Sequence, residues 1–177
     1  PGEYKYLGQL TVGFYADGNV TAVGTDSGPK VVDGTIVPDA CLLASVVDPI
    51  AAAVATLDAT VLGTSEVALD GTRTSVRGVE SNEGNLIADA LLWQATELAA
   101  SFGVTPPDVA IQNGGGIRNN TVIPAGDITV LDTFDMVPFS NFVSVLEDIP
   151  RAQFKNILEN AYSQVPGGGR FAQLAGV

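Results

Sequence analysis

The sequence predicts an α+β fold in which helices flank a mixed β-sheet. Hydrophobic residues make up 46% of the 177 residues, which is enough to bury one globular core. Apolar residues between Ser81 and Gly103 recur at the spacing of an amphipathic helix, whereas residues 109–111 form a short apolar run typical of a buried strand. Helical and strand patterns alternate without a repeating unit, so we expect helices packed on a sheet.

The first part of the chain is predicted to contain a hairpin, a loop and a helix. Residues 4–15 partly alternate, and the turn Asp17-Gly18-Asn19 leads into a second strand pattern at 20–23. Residues 25–38 are rich in Gly, Asp, Ser and Pro, which is typical of a connecting loop. The helix that follows is predicted from apolar residues at helical spacing, namely Val46, Val47, Ile50, Val54 and Leu57. No apolar run reaches the length of a membrane-spanning helix, so we expect no membrane insertion.

The rest of the chain is predicted to add three helices and four strands. A strand over 60–69 ends at the turn Asp70-Gly71. The amphipathic helix begins at Ser81 or Asn82, either of which can cap it, and Gly103 closes it. The strand at 109–111 leads directly into a triple-glycine turn. The remaining predicted elements are a short helix near 130–135, a strand at 142–146, a helix starting at Pro150 and a strand-like run over 171–177.

Composition excludes several kinds of function. The net charge is −12, with 20 acidic against 8 basic residues, and such a surface repels nucleic acid and anionic membranes. A small anionic ligand stays possible, because the field of distant charges decays within about 8 Å at physiological salt. The chain has no histidine, and therefore neither an imidazole base nor a histidine-rich metal site. Its single cysteine, Cys41, forms no internal disulfide, and we interpret it as a small buried apolar residue.

Arginines that flank turns are the first candidates for binding chemistry. Arg73 and Arg77 stand four residues apart just before the amphipathic helix, and Arg118 follows the triple glycine. A guanidinium presents planar paired donors that match phosphate oxygens, so these residues suit phosphate recognition. The alternative is that all three are surface arginines paired with the abundant carboxylates.

The glycine turn and one aromatic residue are the other candidates. Three glycines at 114–116 let the backbone bend sharply and approach a ligand closely, with free N–H groups pointing at it. The spacing matches neither a P-loop nor a dinucleotide fingerprint, and an ordinary loop is the alternative. Phe139, with Asn141 two residues on, can stack on a nucleobase if it is exposed, although most phenylalanines belong to a core.

Taken together, these segments resemble the C-terminal domain of the 5′-nucleotidase family, which includes UDP-sugar hydrolases, ecto-5′-nucleotidases and 2′,3′-cyclic phosphodiesterase/3′-nucleotidases. The resemblance covers residues 60–177 in both order and spacing. It rests on Arg73-x3-Arg77, Glu80-Ser81-Asn82-Glu83-Gly84-Asn85-Leu86, Asn113-Gly114-Gly115-Gly116-Ile117-Arg118, Gly126-Asp127-Ile128-Thr129, Pro138-Phe139-Ser140-Asn141 and Gly169-Arg170-Phe171-Ala172-Gln173.

The resemblance implies a division of labour between two domains. In the family, an N-terminal metallophosphatase domain holds two divalent metal ions that activate water, and the C-terminal domain binds the nucleotide. We therefore expect this chain to bind no metal and no cofactor itself and to be inactive alone. Its expected partners are a small-molecule nucleotide and the metallophosphatase domain of the same protein. The family also implies an extracellular, periplasmic or cell-surface location.

The resemblance also assigns roles to individual residues. Arg77 and Arg118 are expected to hold phosphate or ribose-side oxygens, with Arg73 beside them. Asn113 and the glycine backbone that begins at Gly114 are expected to shape one wall of the pocket.

The base is expected to lie against a different set of residues. Phe139 corresponds to one face of an aromatic clamp, Asn141 to a hydrogen-bonding partner of the base edge, and Gly169 to a backbone contact. The family's second clamp aromatic and its ribose-binding aspartate belong to an Asn-x4-Gly-Gly-Asp-Gly segment that does not occur up to Val177. The pocket is therefore expected to be incomplete.

The domain organisation follows from the same comparison. Residues 1–38 resemble the closing hairpin and loop of the metallophosphatase domain, 39–59 the interdomain linker helix, and 60–177 an incomplete substrate-binding domain. The chain opens Pro1-Gly2-Glu3, without methionine, and reaches a strand pattern at once. We therefore expect a fragment truncated at both ends. Within the family, a UDP-sugar or NAD pyrophosphatase and a 2′,3′-cyclic phosphodiesterase remain alternatives to a 5′-nucleotidase, and a non-catalytic nucleotide-binding module is a third.

Overall fold

The computed structural model describes residues 4–177, and the chain divides into two compact units, one that runs to Ala51 and one that covers Ala52–Val177. Residues 1–3, on which the expectation of a truncated start partly rests, lie outside the described residues. The α+β class predicted from the sequence is confirmed, since helices are combined with small antiparallel sheets. The division into 1–38, 39–59 and 60–177 stays a prediction.

The first unit is built from two antiparallel strand pairs. Strand β2 (Val12–Phe14) pairs with β3 (Val20–Val23), which confirms the predicted hairpin. Strand β1 (Tyr6–Gln9) pairs with β4 (Gly28–Val31). The prediction of a loop throughout 25–38 is therefore wrong at β4. Pairing with β1 satisfies the backbone of this segment, and tertiary contact overrides its turn-like composition.

The predicted helix before residue 59 is confirmed and is longer than its apolar pattern. It comprises α1 (Ala40–Leu42), a π-helical segment (Leu43–Val47) and α2 (Asp48–Asp58). The Asp39 carboxylate caps its start by accepting bonds of 2.9 Å from the N–H groups of Cys41 and Leu42. Cys41 is exposed, so the interpretation of this cysteine as a buried residue is wrong.

This helix corrects the expectation that no segment is long and apolar enough to span a membrane. Ala40–Asp58 is 19 residues long with a mean hydropathy of 2.0, and none of its residues is buried, so by length and composition alone it meets the requirement. Asp48 and Pro49 interrupt the apolar run in the sequence, but the helix continues through them. A single helix of this kind is weak evidence for a membrane span.

The second unit contains three further antiparallel strand pairs. Its strands are β5 (Val61–Ser65), which pairs with β9 (Gly126–Thr129); β6 (Leu69–Asp70), which pairs with β8 (Val122–Ile123); and β7 (Ala110–Asn113), which pairs with β10 (Ala172–Ala175). The strand predicted at 60–69 is thus two strands with different partners. The strands predicted at 109–111 and 171–177 are confirmed as β7 and β10.

The strand predicted at 142–146 is wrong. This segment has no regular structure, and Phe142 and Leu146 are 96% and 73% exposed. Alternating apolar residues become a strand only where a neighbouring strand lies within hydrogen-bonding distance. In the part of the chain that the structure describes, β7 pairs with β10 and the 142–146 segment lies across a cleft from it.

The helices of the second unit end and begin where local chemistry predicts. They are α3 (Arg73–Val76), α4 (Asn82–Phe102), α5 (Val130–Met136) and α6 (Arg151–Tyr162). Ser81 accepts a 3.0 Å bond from the Gly84 N–H at the start of α4, and Gly103 ends that helix with a φ of 66°. Only α3, a single turn, was not predicted.

A hydrophobic core joins these elements and sets the position of two arginines. Its buried residues come from α3, α4, α5, β6, β8 and the segment after the glycine turn: Leu69, Val76, Ile87, Ile117, Ile123 and Met136. Val76 and Ile117 each immediately precede an arginine, Arg77 and Arg118. Burial of these two apolar side chains therefore fixes the backbone positions from which the side chains of Arg77 and Arg118 extend.

We predict that Gly103→Ala lowers the free energy of unfolding by about 1 kcal/mol, because a side chain disfavours the left-handed backbone. Gly63→Ala, in β5, is the matched control. No atom lies within 4 Å of the Cβ position at either glycine, but only Gly103 has a positive φ. Gly63→Ala should leave stability unchanged or raise it by about 0.5 kcal/mol. Urea unfolding followed by circular dichroism measures both, and equal losses would contradict the backbone explanation.

Candidate functional site

Arg77 is a buried residue that carries a positive charge. Its side chain is 7% exposed, and its Nε has no hydrogen-bond partner in the described residues. Arg77 terminates α3, and its carbonyl accepts a 3.0 Å bond from the Gly167 N–H, so the backbone at this point is held on both sides. A buried charge with unfilled hydrogen-bonding capacity is costly, and such groups are usually paired.

Two further arginines add positive charge near Arg77. Burial lowers the pKa of the Arg77 guanidinium, and the charges of Arg73 and Arg118 lower this pKa further. The group nevertheless remains protonated at neutral pH. Within residues 4–177, none of the three arginines forms a salt bridge with a carboxylate. Arg73 and Arg118 are exposed, as the surface alternative expects, but the pairing with acids that it also expects is not present in the described residues. A cluster of unpaired cations is suited to an anion.

Helix α3 holds Arg73 and Arg77 through polar contacts at its start. The Asp70 carboxylate accepts bonds of 2.9 and 2.6 Å from the N–H and hydroxyl of Thr72 and one of 2.6 Å from the Ser75 hydroxyl. These bonds, with that from Ser75 the strongest, lower the pKa of Asp70 and keep it ionised. Asn120 accepts a 2.9 Å bond from the Arg73 N–H. Sequence analysis missed Asn120, whose φ of 50° is suited to asparagine.

Arg118 and Phe139 lie in direct contact. The guanidinium carbon of Arg118 lies 5.6 Å from the centroid of the Phe139 ring, which is a cation–π arrangement. The Arg118 N–H donates to the Met136 carbonyl at 2.9 Å, so the end of α5 fixes the start of this side chain. Phe139 is 51% exposed, so it is not a core residue and one part of its ring is open to a ligand.

The triple-glycine turn serves close packing of three backbone segments. A Cβ on Gly114 would overlap the Val76 carbonyl at the end of α3. The N–H groups of Gly114 and Gly115 donate to the carbonyls of Phe171 and Gly169 at 2.7 and 2.8 Å. The expectation that the N–H groups of this turn point at a ligand is therefore wrong for these two glycines. They instead bring α3 and the 169–171 segment together.

Gly169 and Asn113 lie beside this junction. A Cβ on Gly169 would lie 3.9 Å from Nη1 of Arg77, so the glycine leaves the guanidinium accessible from that side. The Asn113 amide donates to the Gly169 carbonyl at 3.2 Å. Asn113 thus fixes the segment that lies next to the arginine cluster.

Asn141 lies on a different feature, a cleft of about 1220 Å³. The cleft runs between β7 and the irregular 141–149 segment, and both Asn113 and Asn141 line it. The structure therefore brings Arg73 and Arg118 close enough to Arg77 for their charges to affect its pKa, with Phe139 in contact with Arg118 and Gly169 beside Arg77. Gly114 lies next to Val76, which precedes Arg77. Asn113 joins that group to the cleft, and Asn141 belongs to the cleft wall.

Gln173 is a positioning residue that sequence analysis did not identify. Its side chain is 1% exposed; Nε2 donates to the carbonyls of Val76 and Val79 at 3.1 and 2.9 Å, and Oε1 accepts from the Ser81 N–H at 3.1 Å. The amide therefore fixes the loop from α3 to α4, which carries Arg77. A polar residue inside the apolar run 171–175 is the sequence signal that could have revealed it.

The described residues do not match a catalytic metal centre. The chain has no histidine, and within residues 4–177 no three acidic or cysteine side chains are grouped so that they could hold a metal ion. What the geometry offers is an anion site next to an exposed aromatic ring. That combination suits recognition of a phosphorylated aromatic molecule.

We predict that Gln173→Ala lowers the free energy of unfolding by about 3 kcal/mol, because each buried polar group left unpaired costs about 1–3 kcal/mol. Gln112→Ala is the matched control, since Gln112 is the cross-strand neighbour of Gln173 and, within residues 4–177, its amide bonds only to the adjacent Asn113. Its loss should cost less than about 1 kcal/mol. Equal stability of the two variants in urea unfolding would show that Gln173 does not hold this loop.

Comparison with known proteins agrees with this geometry. Residues 61–177 match the family model described as "5'-nucleotidase, C-terminal domain". The chain is 44% identical over 117 residues to the trifunctional nucleotide phosphoesterase protein YfkN of Bacillus subtilis strain 168, covering 66% of this chain and 7% of that protein. It is 32% identical over 181 residues to Protein 5NUC of Lutzomyia longipalpis, covering 98% of this chain and 31% of that protein.

A solved structure extends the similarity across both units. The 5′-nucleotidase precursor from Thermus thermophilus matches with a TM-score of 0.56 and 29% identity, over 97% of this chain and 32% of that one. The chain thus spans about a third or less of the length of these three proteins. The family match covers the segment that holds the arginine cluster, the glycine turn and Phe139, and on that match the chain belongs to the 5′-nucleotidase C-terminal domain family.

Proposed function

We propose that this chain is the nucleotide-binding part of a metal-dependent 5′-nucleotidase that hydrolyses nucleoside phosphates. The observation that carries the proposal is the buried Arg77, whose Nε has no hydrogen-bond partner in the described residues, with Arg73 and Arg118 close by and Phe139 in contact with Arg118. A bound phosphate would supply the negative charge and the hydrogen-bond acceptors that these groups lack.

The proposed mode of binding uses two adjoining subsites. The phosphate lies among the guanidinium groups, with Arg77 and Arg118 as donors and Arg73 contributing charge. Since Arg118 covers one side of the Phe139 ring, the base stacks on the side that remains open. Asn141 is proposed to bond the base edge, and Asn113 and Gly169 to form the wall between base and phosphate.

Hydrolysis itself is proposed to depend on groups outside this chain. We propose that two divalent metal ions, held by a metallophosphatase domain of the same protein, activate the attacking water and stabilise the phosphoryl charge. The chain would then present the nucleotide and remain inactive alone. Release of phosphate from AMP by the chain alone with Mn²⁺ would contradict this division of labour. Family resemblance supports a location outside the cytoplasm as part of the same proposal.

A broader substrate range is the second candidate function. The relative that is 44% identical is named a trifunctional nucleotide phosphoesterase, and that name favours more than one phosphoester substrate. A UDP-sugar or NAD pyrophosphatase, or a 2′,3′-cyclic phosphodiesterase, would use the same arginines and ring. Calorimetric titration of the chain with AMP, UDP-glucose, NAD and 2′,3′-cyclic AMP separates these candidates by affinity. A non-catalytic binding module would bind nucleotide without any dependence on a metallophosphatase domain.

We predict that Arg118→Ala weakens AMP binding by about 10–100-fold, because a hydrogen bond to a charged group contributes about 1.5–3 kcal/mol. Lys155→Ala is the control, since it removes the same charge from the exposed surface of α6, where Lys155 pairs with Glu159 at 3.3 Å. Calorimetry should show unchanged AMP affinity for the control. Equal affinity of Arg118→Ala and wild type would refute the phosphate assignment.

We predict that Phe139→Leu weakens AMP binding by about 1–3 kcal/mol, which is the usual contribution of base–aromatic stacking, and leaves binding of inorganic phosphate unchanged. Leucine keeps the apolar bulk but removes the ring. Comparison of the two ligands on one variant separates the base subsite from the phosphate subsite. If both ligands lose affinity equally, Phe139 acts by holding Arg118 and not by stacking on the base.

A further inference from the structure

Glu83, the second residue of α4, is buried together with the Asn119 amide. The Glu83 side chain is 0% exposed, and the Asn119 Nδ2 donates to its Oε2 at 3.0 Å. The two other oxygens of this pair, Oε1 of Glu83 and Oδ1 of Asn119, are buried and have no hydrogen-bond partner in the described residues. Both are acceptors, and both remain unfilled.

The two unpartnered oxygens converge on one point. A Cβ on Gly71 would overlap both of these oxygens and also Nδ2 of Asn119, so the carboxyl and the amide face the same small space. Two acceptors in this arrangement repel unless a donor lies between them. A single proton on the Glu83 carboxyl would supply that donor.

We propose that Glu83 is a neutral carboxylic acid that donates its proton to Oδ1 of Asn119, so that acid and amide form a cyclic pair with two hydrogen bonds. This pair would hold the segment from Arg118 to Asn120 against α4. Glu83 and Asn119 are therefore positioning residues, which act on the arginine cluster without touching its ligand.

The charges around Glu83 favour the neutral form. The pKa of Glu83 is raised to about 7, and burial is the largest cause. The charges of Asp70, on β6, and Asp132, on α5, also raise this pKa, whereas the hydrogen bond from Asn119 lowers it. Asp70 stays ionised through its bonds to Thr72 and Ser75. Both charges that shift the pKa of Glu83 in the described part of the chain are carboxylates. Below about pH 7 the two acids therefore have opposite states, with Asp70 charged and Glu83 neutral.

The pair is connected to both arginine-bearing segments. Asn119 directly follows Arg118, and the next residue, Asn120, accepts the Arg73 N–H at the start of α3. Loss of the proton from Glu83 would leave a buried carboxylate next to the side-chain oxygen Oδ1 of Asn119. The charges of Asp70 and Asp132 would repel this carboxylate. Deprotonation would therefore loosen the Arg118–Asn120 segment.

The pH dependence follows from the direction of this shift. The pKa of Glu83 is about 7 in the folded chain against an ordinary value of 4.5, so the folded state holds this proton more tightly. The stabilisation is complete below pH 4.5, declines as pH rises from 4.5 to 7, and is absent above that range. The folding equilibrium constant should fall by about two orders of magnitude across this range through Glu83 alone.

Glu83→Gln is the variant that tests the proposal, because its amide can donate to Asn119 Oδ1 and accept from Asn119 Nδ2 at any pH. Carboxyl ¹³C NMR of the wild-type chain should show Glu83 titrating with a midpoint near 7. Between pH 4.5 and 7.5, the melting temperature of wild type should fall relative to that of Glu83→Gln. Other titrating groups affect both proteins equally, so the difference isolates Glu83.

Three results would overturn the proposal. One is a Glu83 titration midpoint near its ordinary value, and another is parallel melting curves for wild type and Glu83→Gln. The third is a lowered midpoint on addition of NaCl or CaCl₂ relative to tetramethylammonium chloride, which would show that a cation occupies the space between the two oxygens. If Glu83→Gln does not fold, the NMR titration of the wild-type chain still decides the protonation state.

A further measurement links the pair to the arginine cluster, and this part rests on the proposed nucleotide-binding function. From pH 6 to pH 8, the AMP affinity of wild type should fall relative to that of Glu83→Gln. The ratio of the two affinities cancels the titration of the phosphate, because both proteins bind the same ligand. An identical pH profile would overturn the positioning role. Absence of AMP binding at every pH would refute the proposed function, while the NMR result would still test the acid–amide pair.

Discussion

A largely buried guanidinium that forms no salt bridge within the described residues must be held in place by the rest of the fold. Arg77 is in this position, and the positive charges of Arg73 and Arg118 add to the repulsion. Its own environment therefore disfavours the arrangement, and the surrounding packing must offset that cost. Such an arrangement is ready for an anion, because binding relieves both the unfilled hydrogen bonding and the repulsion between like charges.

The second unit meets this constraint with rigid contacts on each side of the cluster. The core residues Val76 and Ile117 fix the backbone immediately before two of the arginines. Gly114 and Gly115 donate hydrogen bonds to the 169–171 segment, and the missing side chain at Gly114 leaves room for the Val76 carbonyl of α3. Gln173 then satisfies backbone groups of the loop that carries Arg77. Apolar burial, backbone packing and a buried amide thus all hold the backbone segments that carry the arginines.

Two acidic residues near the arginine cluster, Asp70 and Glu83, bond to other groups and do not neutralise the arginines. Asp70 is occupied by hydroxyl and backbone donors, and Glu83 is directed to an amide, so neither pairs with an arginine. In a chain with a net charge of −12, this separation is what leaves a local excess of positive charge available to a ligand. Similarity to 5′-nucleotidase C-terminal domains agrees with such an arrangement.

The sequence by itself determined the α+β class, the long capped helix α4, the hairpin β2–β3 and the candidate arginines, because periodicity, caps and turn residues act locally. Only the tertiary structure decided what these residues contact. β4 formed in a loop-like segment because it pairs with β1, whereas the apolar run at 142–146 stayed irregular because a cleft separates it from β7. Likewise, the glycine N–H groups turned to neighbouring carbonyls, and Gln173, Asn119 and Asn120 gained their roles from partners tens of residues away. Local patterns fix which elements form, but long-range hydrogen bonds and burial depend on which segments meet in space.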